Sequence, residues 1–379
     1  MTNPPKKFAC VIWGGYANGN TGDELCLAAA LERKHREFDG SVAILSHLPE
    51  YTSKLFPHAT VIPYVPSPPK SSRLRKRFFR TSKSFVIALG RAFSTGDRPQ
   101  NPDSEWMRAL SGASQLYLTG GGYLTDLFPL DLVMPPIQLA LKLNIPVATA
   151  PIGIGPFQSP LHADQITDTL RRIKLTVRDQ TSLDFCRARG IDASLAPDDA
   201  FTLIKNLSLP PINQSGIRPR KIGVCIFTQY GQDANCDLTG WWTETLRGLK
   251  AQNPEYEIEG FCFHTAPHAE FDQMTRLFSL AGLPASQVLA PVLDFRRAVE
   301  IVRRFDLVIS TRFHATVTAN VFSLPNIAVA AGDYYHAKMS AAKLGFENIC
   351  SLVNPASQSP EDLLNLCKMK LAAGESHKL

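Results

Sequence analysis

The sequence lacks the patterns that mark several classes of protein. Its eight cysteines are scattered, with no Cys-x-x-Cys pair and no nearby histidine at metal-ligand spacing, which argues against a zinc site and favours reduced thiols. No apolar run approaches the roughly 20 residues that cross a bilayer, and residues 1–8 contain no signal-peptide core. We therefore expect a cytoplasmic protein that uses neither a metal nor a cofactor.

Length and composition indicate a globular enzyme with two domains. The chain has 379 residues, of which 44% are hydrophobic and 20% are charged, and this balance excludes an intrinsically disordered protein. A single hydrophobic core rarely serves more than about 250–300 residues. The chain is therefore expected to divide into two domains.

The positive charge is concentrated in one segment. The net charge is +6, yet residues 70–91 alone carry eight lysines and arginines and no acid. A solvated face is one interpretation of such a run. The other is a basic amphipathic helix that docks on an anionic membrane surface or on a lipid-diphosphate carrier. Nucleic acid ranks third, because no recognised binding motif accompanies the charge.

Strand-length apolar runs alternate with helix-length segments along the chain. This alternation is typical of parallel α/β units, and the two halves predict two Rossmann-like domains that face a cleft. The predicted organisation is an N-terminal domain at 1–206 with a basic insert near 66–100, a linker at 207–219, a C-terminal domain at 220–355, and a C-terminal helix and tail at 356–379. Packing of that last helix on the first domain is left open.

An arginine and a histidine follow a buried strand in the second half. The apolar run 307–309 stops at Ser310 and Thr311, and Arg312 and His314 come directly after it. Ligands of open α/β sheets bind at the carboxyl ends of strands, beside the N-terminus of the next helix. A guanidinium and an imidazole at that edge suit an anionic ligand and a proton transfer.

A glycine- and asparagine-containing turn at 14–24 follows the first predicted strand. Its spacing fits neither the dinucleotide-binding fingerprint nor a Walker loop. A helix cap formed by Asn20 or Thr21, with acids favouring the helix dipole, explains the turn. Contact of Asn20, Gly22 and Asp23 with a ligand is the second interpretation, and the two are compatible.

Two further strand ends carry candidate site residues. One predicted strand is followed by Gly120, Gly121 and Gly122. Because glycine has no side chain, the backbone is accessible there, as expected where a ligand approaches closely. Arg178 follows another strand, and it is either a surface arginine paired with an adjacent acid or part of the same crevice. Asp198, in a nearby loop, is placed to orient an arginine.

The remaining polar segments are weaker candidates. His264 and His268 follow a strand in the second half, but a metal pair there lacks a third close ligand, and ordinary loop histidines are the simpler interpretation. Residues 333–338 are polar enough to line a ligand pocket, and an ordinary surface loop has the same composition.

Taken together, these segments resemble the polysaccharide pyruvyl transferase family over about residues 11–346. The resemblance rests on the turn at 20–24, the glycines at 120–122, the turn at 153–156, and the segments 177–179, 197–201 and 309–315. It implies a fold similar to the GT-B glycosyltransferases and transfer of the enolpyruvyl unit of phosphoenolpyruvate to two hydroxyls of a sugar. Phe313 stands where the family often has leucine, and the basic insert matches no part of the family pattern.

The resemblance also implies roles for three side chains. Arg178 and Arg312 are expected to bind the phosphoenolpyruvate anion, and His314 to act as acid or base. The acceptor is expected to be a polysaccharide or its lipid-linked precursor, as in exopolysaccharide and cell-envelope synthesis, with the enzyme cytoplasmic or peripheral at the inner face of the membrane. The alternatives are a nucleotide-sugar glycosyltransferase and a catalytically silent glycan-binding protein on the same fold.

Overall fold

The computed structural model describes residues 8–39, 41–64, 103–128, 130–210, 220–228, 236–265 and 270–376. The basic run 70–91, most of the predicted linker and His268 lie outside the described residues. The chain forms two compact units. The first comprises Met1–Asn18 and Asp23–Asp199, and the second comprises Gly19–Gly22 and Ala200–Leu379.

The first unit contains two parallel sheets. Its strands are β1 (Cys10–Trp13), β2 (Val42–Ser46), β3 (Thr60–Pro63), β4 (Gln115–Leu118), β5 (Gly121–Leu124), β6 (Val147–Thr149), β7 (Ile152–Ile154), β8 (Leu175–Val177) and β9 (Ala193–Leu195). The strand orders are β3-β2-β1-β4-β6 and β5-β7-β8-β9. Every residue of β1 and β2 is buried, as expected for parallel strands covered by helices on both faces.

Helices alternate with these strands. They are α1 (Thr21–Glu37), α2 (Pro49–Leu55), α3 (Asp103–Ser111), α4 (Leu130–Lys142), α5 (Pro160–Leu170) and α6 (Gln180–Ala188). The next helix, α7 (Asp199–Asn206), groups with the second unit from Ala200 onward. The apolar faces of α3, α4, α5 and α6 form, with the strands, one hydrophobic core that includes Trp13 and Ile137. Burial of each such side chain stabilises the fold by roughly 1.5–3 kcal/mol. This packing holds the strands in place, and with them the polar residues at the strand ends.

The second unit is built on a single parallel sheet in the order β11-β10-β12-β13-β14. Its strands are β10 (Arg220–Cys225), β11 (Tyr256–Gly260), β12 (Leu307–Ser310), β13 (Asn326–Val329) and β14 (Cys350–Val353). Its helices are α8 (Leu238–Gln252), α9 (Glu270–Leu280), α10 (Phe295–Val302), α11 (Phe313–Val321), α12 (Asp333–Lys343) and α13 (Pro360–Ser376). The strand order reverses direction between β10 and β12, and that reversal is where ligands bind in open α/β sheets.

The C-terminal helix α13 belongs to the second unit. Leu363, Leu364, Cys367 and Leu371 are buried in the core of that unit, and Leu364 packs so closely on α8 that a Cβ on Gly248 would lie 2.3 Å from it. Packing of this helix on the first domain stays a prediction. Within the described residues, no helix combines the length and apolar character needed to cross a membrane.

Candidate active site

In the first unit, Arg178 lies at the end of β8 and is buried rather than at the surface. Its Nη1 donates to Oδ2 of Asp198 at 2.8 Å. Burial opposes the charge of Arg178, but Asp198 and Asp179 raise its pKa, so the guanidinium stays protonated. Gly153 in β7 leaves room for this group, since a Cβ there would lie 3.3 Å from Nε and Nη2.

Asp179 has a different role from the surface pairing considered above. It is the N-cap of α6, and its Oδ1 accepts the backbone N–H of Ser182 at 2.7 Å. A capping interaction of this kind stabilises a helix by about 1 kcal/mol. Asp179 thus fixes the start of the helix that follows Arg178, while Asp198 makes the direct ion pair.

The local structure accounts for two of the three glycines at 120–122, one through close packing and one through its backbone conformation. A Cβ on Gly120 would lie 3.1 Å from the carbonyl oxygen of Pro151 and 3.2 Å from Sγ of Cys26. Gly121 has a φ of +128°, a conformation that residues with a Cβ rarely adopt. Gly122 is half-buried. Close packing therefore explains much of this glycine run without a ligand.

Asp23 lies in the first turn of α1 and is half-buried. Its Oδ2 accepts from Nδ2 of Asn18 at 3.2 Å, and the same nitrogen donates to the carbonyl of Gly15 at 2.8 Å. A Cβ on Gly121 would come within 3.6 Å of Oδ1. Asp23 therefore ties the turn after β1 to the start of β5.

In the second unit, Arg312 follows β12 and forms an ion pair with Glu270 at the start of α9; the side chain of Glu270 is fully buried and that of Arg312 is 14% exposed. Its guanidinium carbon lies 3.9 Å from the centre of the Phe227 ring. Burial opposes its charge, and Glu270 raises its pKa. Glu270 is not among the site residues predicted from the sequence. The only feature of the sequence that could have indicated it is an acid in the first turn of a helix that follows a strand end.

His314 is buried in the first turn of α11, two residues after Arg312. The turn Gly19–Gly22, which groups with this unit, packs against the imidazole. A Cβ on Gly22 would lie 2.0 Å from Nδ1 of His314. Glycine at this position is therefore required by the close approach of the turn to the histidine.

Backbone hydrogen bonds hold that turn in place. The N–H of Thr21 donates to the carbonyl of Phe263 at 2.9 Å, and the N–H of Thr265 donates to the carbonyl of Gly19 at 2.7 Å. Asn20 forms an antiparallel bridge with His264, and its Oδ1 accepts the N–H of Gly22 at 3.1 Å. Asn20 and Gly22, singled out as ligand-binding candidates, thus shape the surroundings of His314.

His264 is a neutral neighbour of Arg312. Burial and the charge of Arg312 lower the pKa of His264 to about 3. An imidazole in this state carries no charge at neutral pH and does not compete for an anion.

A pocket lies at the carboxyl ends of the strands in the sheet of the second unit. It is next to the position between β10 and β12 where the strand order reverses. It is lined by Phe227, Thr228, Leu238, Trp242, Thr311, Val329, Ala331, Tyr335 and Pro355. Tyr335 belongs to the segment 333–338, which forms the start of α12 rather than a loop. Aromatic and hydroxyl groups thus surround a concave space beside Arg312.

Comparison with solved structures shows the same fold. A putative UDP-N-acetylglucosamine 2-epimerase from Listeria monocytogenes has a TM-score of 0.58 and 13% identity, covering 98% of this chain and 90% of that one. UDP-GlcNAc 2-epimerase from Neisseria meningitidis, bound to UDP-GlcNAc, has a TM-score of 0.57 and 10% identity, with 97% and 92% covered. HepE from Anabaena, in complex with UDP, has a TM-score of 0.54 and 12% identity, with 97% and 93% covered.

These matches confirm the predicted α/β fold with two Rossmann-like domains, similar to the GT-B glycosyltransferases. Identities this low carry the fold and nothing more. No curated protein matches the sequence. The sequence model of polysaccharide pyruvyl transferases matches residues 20–334, which is most of the chain. This match confirms the resemblance drawn from the motifs, and the protein belongs to the polysaccharide pyruvyl transferase family and is a transferase.

Proposed function

We propose that the protein transfers the pyruvyl group of phosphoenolpyruvate to two hydroxyls of one sugar, forming a ketal and releasing phosphate. The observation that carries this proposal is Arg312, a largely buried guanidinium that lies over the ring of Phe227 and is followed two residues later by His314 at a helix N-terminus. This combination places a fixed cation, the N-terminus of a helix and a proton-transfer group within three residues.

Arg312 and Arg178 are the proposed anion-binding groups. Phosphoenolpyruvate carries a carboxylate and a phosphate, and the planar fork of a guanidinium can bind either of them through two hydrogen bonds. Each arginine is held by a buried carboxylate, Asp198 for Arg178 and Glu270 for Arg312. A side chain fixed in this way loses little conformational freedom when it binds an anion.

His314 is the proposed acid or base. In the overall reaction C3 of the enol gains a proton, C2 forms two bonds to sugar oxygens, and the C2–O bond to phosphate breaks. Of the two hydroxyl protons, one ends on C3 and the other leaves with phosphate. A positioned imidazole typically accelerates such a transfer by about 10²–10⁴-fold.

The acceptor is proposed to be a sugar of a polysaccharide or of its lipid-linked precursor. Contacts of the acceptor or donor with Asn20, Gly22, Asp23, the glycines at 120–122 and Asp198 stay predictions, since packing already explains several of these residues. Docking of the basic run 70–91 on an anionic membrane surface also stays a prediction from composition. Co-sedimentation with anionic vesicles would test the docking.

Release of phosphate from phosphoenolpyruvate tests the function. We expect release that depends on an acceptor glycan, and a loss of about 10²–10⁴-fold in His314→Ala. His162→Ala is the matched control, because His162 is a partly exposed histidine that contacts Asp126. Its turnover should stay within about twofold of wild type, as is usual for surface substitutions.

Two other results would redirect the assignment. Full activity in His314→Ala would remove the acid or base role of this histidine while leaving the reaction intact. No phosphate release with any acceptor, together with thermal stabilisation by a nucleotide sugar and none by phosphoenolpyruvate, would favour a nucleotide-sugar glycosyltransferase. Stabilisation by glycan alone, without turnover, would favour a silent glycan-binding protein.

A further inference from the structure

Glu270 is a buried carboxylate whose contacts all hold it in one place. Its side chain is 0% exposed. Its Oε2 accepts the backbone N–H groups of Phe263 at 2.6 Å and His264 at 3.1 Å, while its Oε1 accepts from Nε of Arg312. The thiol of Cys225 is a further, weaker donor at 3.8 Å. Both oxygens are thus engaged, and the carboxylate has no freedom to rotate.

Arg312 is engaged on two sides by this arrangement. Its Nε edge is bonded to Glu270, and its guanidinium carbon lies over the ring of Phe227. Its Nη2 is also buried, yet no hydrogen-bond partner for this nitrogen is found among the described residues. A buried cationic N–H group without a partner is unfavourable, so a ligand that accepts from it would bind with a corresponding gain.

We propose that Glu270 is the positioning residue of Arg312: it fixes the Nε edge so that the amino end of the guanidinium is presented to the donor anion. This inference rests on the proposed function of Arg312. Glu270 touches no reacting atom in this scheme and acts only through the arginine. Phe227 contacts the guanidinium over its ring, and the carboxylate holds its Nε edge.

A purely structural role is the competing interpretation. Glu270 bridges two elements, because it lies in α9 and accepts from the loop after β11. Burial raises the pKa of its carboxyl, and Arg312 and the two backbone N–H groups lower it in part. Loss of such a residue destabilises a fold in either case, so stability alone cannot separate the two roles.

The Michaelis constant for phosphoenolpyruvate separates them. A structural role would reduce the amount of active enzyme and leave KM unchanged, whereas a displaced Arg312 would raise KM. We expect Glu270→Gln to lower kcat/KM by about 10–100-fold, mostly through KM, because misplacement of a positioning group by about 1 Å costs up to about 10²-fold. Glu270→Asp, which keeps the charge and is one methylene shorter, should give a smaller effect in the same direction.

A double-mutant cycle with Arg312→Lys tests whether Glu270 acts through the arginine. Lysine keeps the charge but has no Nε–H edge, so adding Glu270→Gln to Arg312→Lys should change KM by less than about twofold. Glu259→Gln is the matched control. Glu259 is a partly buried glutamate of the same unit, paired with Lys221 and Arg304, and its loss should leave KM unchanged.

The outcomes distinguish this inference from the function on which it rests. If wild type releases phosphate and Arg312→Lys impairs it, but both Glu270 variants keep the wild-type KM, the positioning role is wrong and the function stands. If Glu270→Gln does not fold, Glu270→Asp carries the same decision. If Arg312→Lys leaves donor KM unchanged, the proposed role of Arg312 fails first.

Discussion

At the scale of single residues, the two candidate anion-binding arginines have similar surroundings. Each follows a strand end and is paired with a buried acid, Arg178 with Asp198 and Arg312 with Glu270. An isolated buried guanidinium would be strongly destabilising, and the acid offsets that cost. One carboxylate cannot engage all five N–H donors of a guanidinium. The pairing therefore keeps each cation in place, and for Arg312 the buried Nη2 nitrogen has no hydrogen-bond partner among the described residues.

Asp198→Asn tests this pairing in the first unit. The change leaves Arg178 buried beside a neutral amide, and breaking a buried ion pair from one side typically costs about 3–5 kcal/mol. We expect a loss of at least about 2 kcal/mol in the free energy of unfolding, because asparagine can still accept one hydrogen bond. Chemical denaturation followed by fluorescence measures it.

Asp168→Asn is the control for Asp198→Asn. Asp168 pairs with Arg171 at 3.4 Å, but its side chain is 83% exposed, and exposed pairs contribute about 0–1 kcal/mol. Equal losses in the two variants would show that burial of the Arg178 pair has no special energetic weight. A larger loss in Asp198→Asn would support it.

At the scale of elements, the start of α1 sets the surroundings of His314. Gly22 lies in the first turn of α1, and the turn before it is bonded to the segment that follows β11. The imidazole therefore has backbone rather than a side chain on this side. Gly22 was selected from the sequence as a ligand contact, and its packing against His314 is a second reason for glycine at this position.

Gly22→Ala should impair catalysis more than stability. The added Cβ would lie 2.0 Å from Nδ1 of His314, so the imidazole or the turn must move. Forced overpacking costs about 1–3 kcal/mol, and displacement of a catalytic group can cost up to about 10²-fold in rate. We expect a kcat reduced by at least tenfold in protein that remains folded, measured by phosphate release and circular dichroism.

Gly240→Ala is a suitable comparison. Gly240 also lies in the first turn of a helix, α8, and its added Cβ would meet the N-cap carboxylate of Asp237 at 2.4 Å. Loss of that cap should cost about 1 kcal/mol, with kcat unchanged. A wild-type kcat in Gly22→Ala would mean that the position of His314 tolerates movement, and would weaken its assignment as acid or base.

At the scale of the whole molecule, the sequence predicted the fold class correctly, whereas the roles of individual residues are not tested by the fold. Alternating apolar runs indicated parallel α/β units, because buried parallel strands leave a strong signal in composition. The strand ends at Arg178 and Arg312 were visible for the same reason. Their binding roles stay predictions.

Tertiary proximity was not visible in the sequence. Nothing in the order of residues indicated that Glu270 lies beside Arg312, which is 42 positions away along the chain, or that Gly22 contacts His314. The glycines at 120–122 suggested a ligand, whereas two of them are explained by a close contact and a positive φ. Periodicity reports which face of an element is buried, and not which partner it meets.

Stability of the folded chain should depend on pH through Glu24. This residue of α1 is buried, and burial, together with the charge of Asp23, raises the pKa of Glu24 to about 8 from an ordinary value of 4.5. The folded state therefore holds a proton that the unfolded state releases. Its contribution to stability is fully present below pH 4.5 and is lost as pH rises through 8.

Between pH 6.5 and 8 the effect of Glu24 can be isolated. Burial lowers the pKa of His47 from 6.5 to about 4, so its contribution to stability no longer changes with pH above pH 6.5. The pKa of Asp199 is raised from 3.8 to about 6, so most of the change in its contribution to stability lies below pH 6.5. Over the window we expect the wild-type free energy of unfolding to fall by on the order of 1 kcal/mol per pH unit.

Glu24→Gln should flatten this slope. Glutamine keeps an oxygen that can accept the N–H of Ala17, a bond of 3.0 Å in the wild type, but it has no charge to bury. Urea denaturation at pH 6.5 and 8 measures the difference. Glu32→Gln, on the same helix with a side chain 44% exposed, should keep the wild-type slope. Parallel slopes for wild type and Glu24→Gln would show that Glu24 is already ionised in the folded state, and that its burial is relieved by water or by movement of α1.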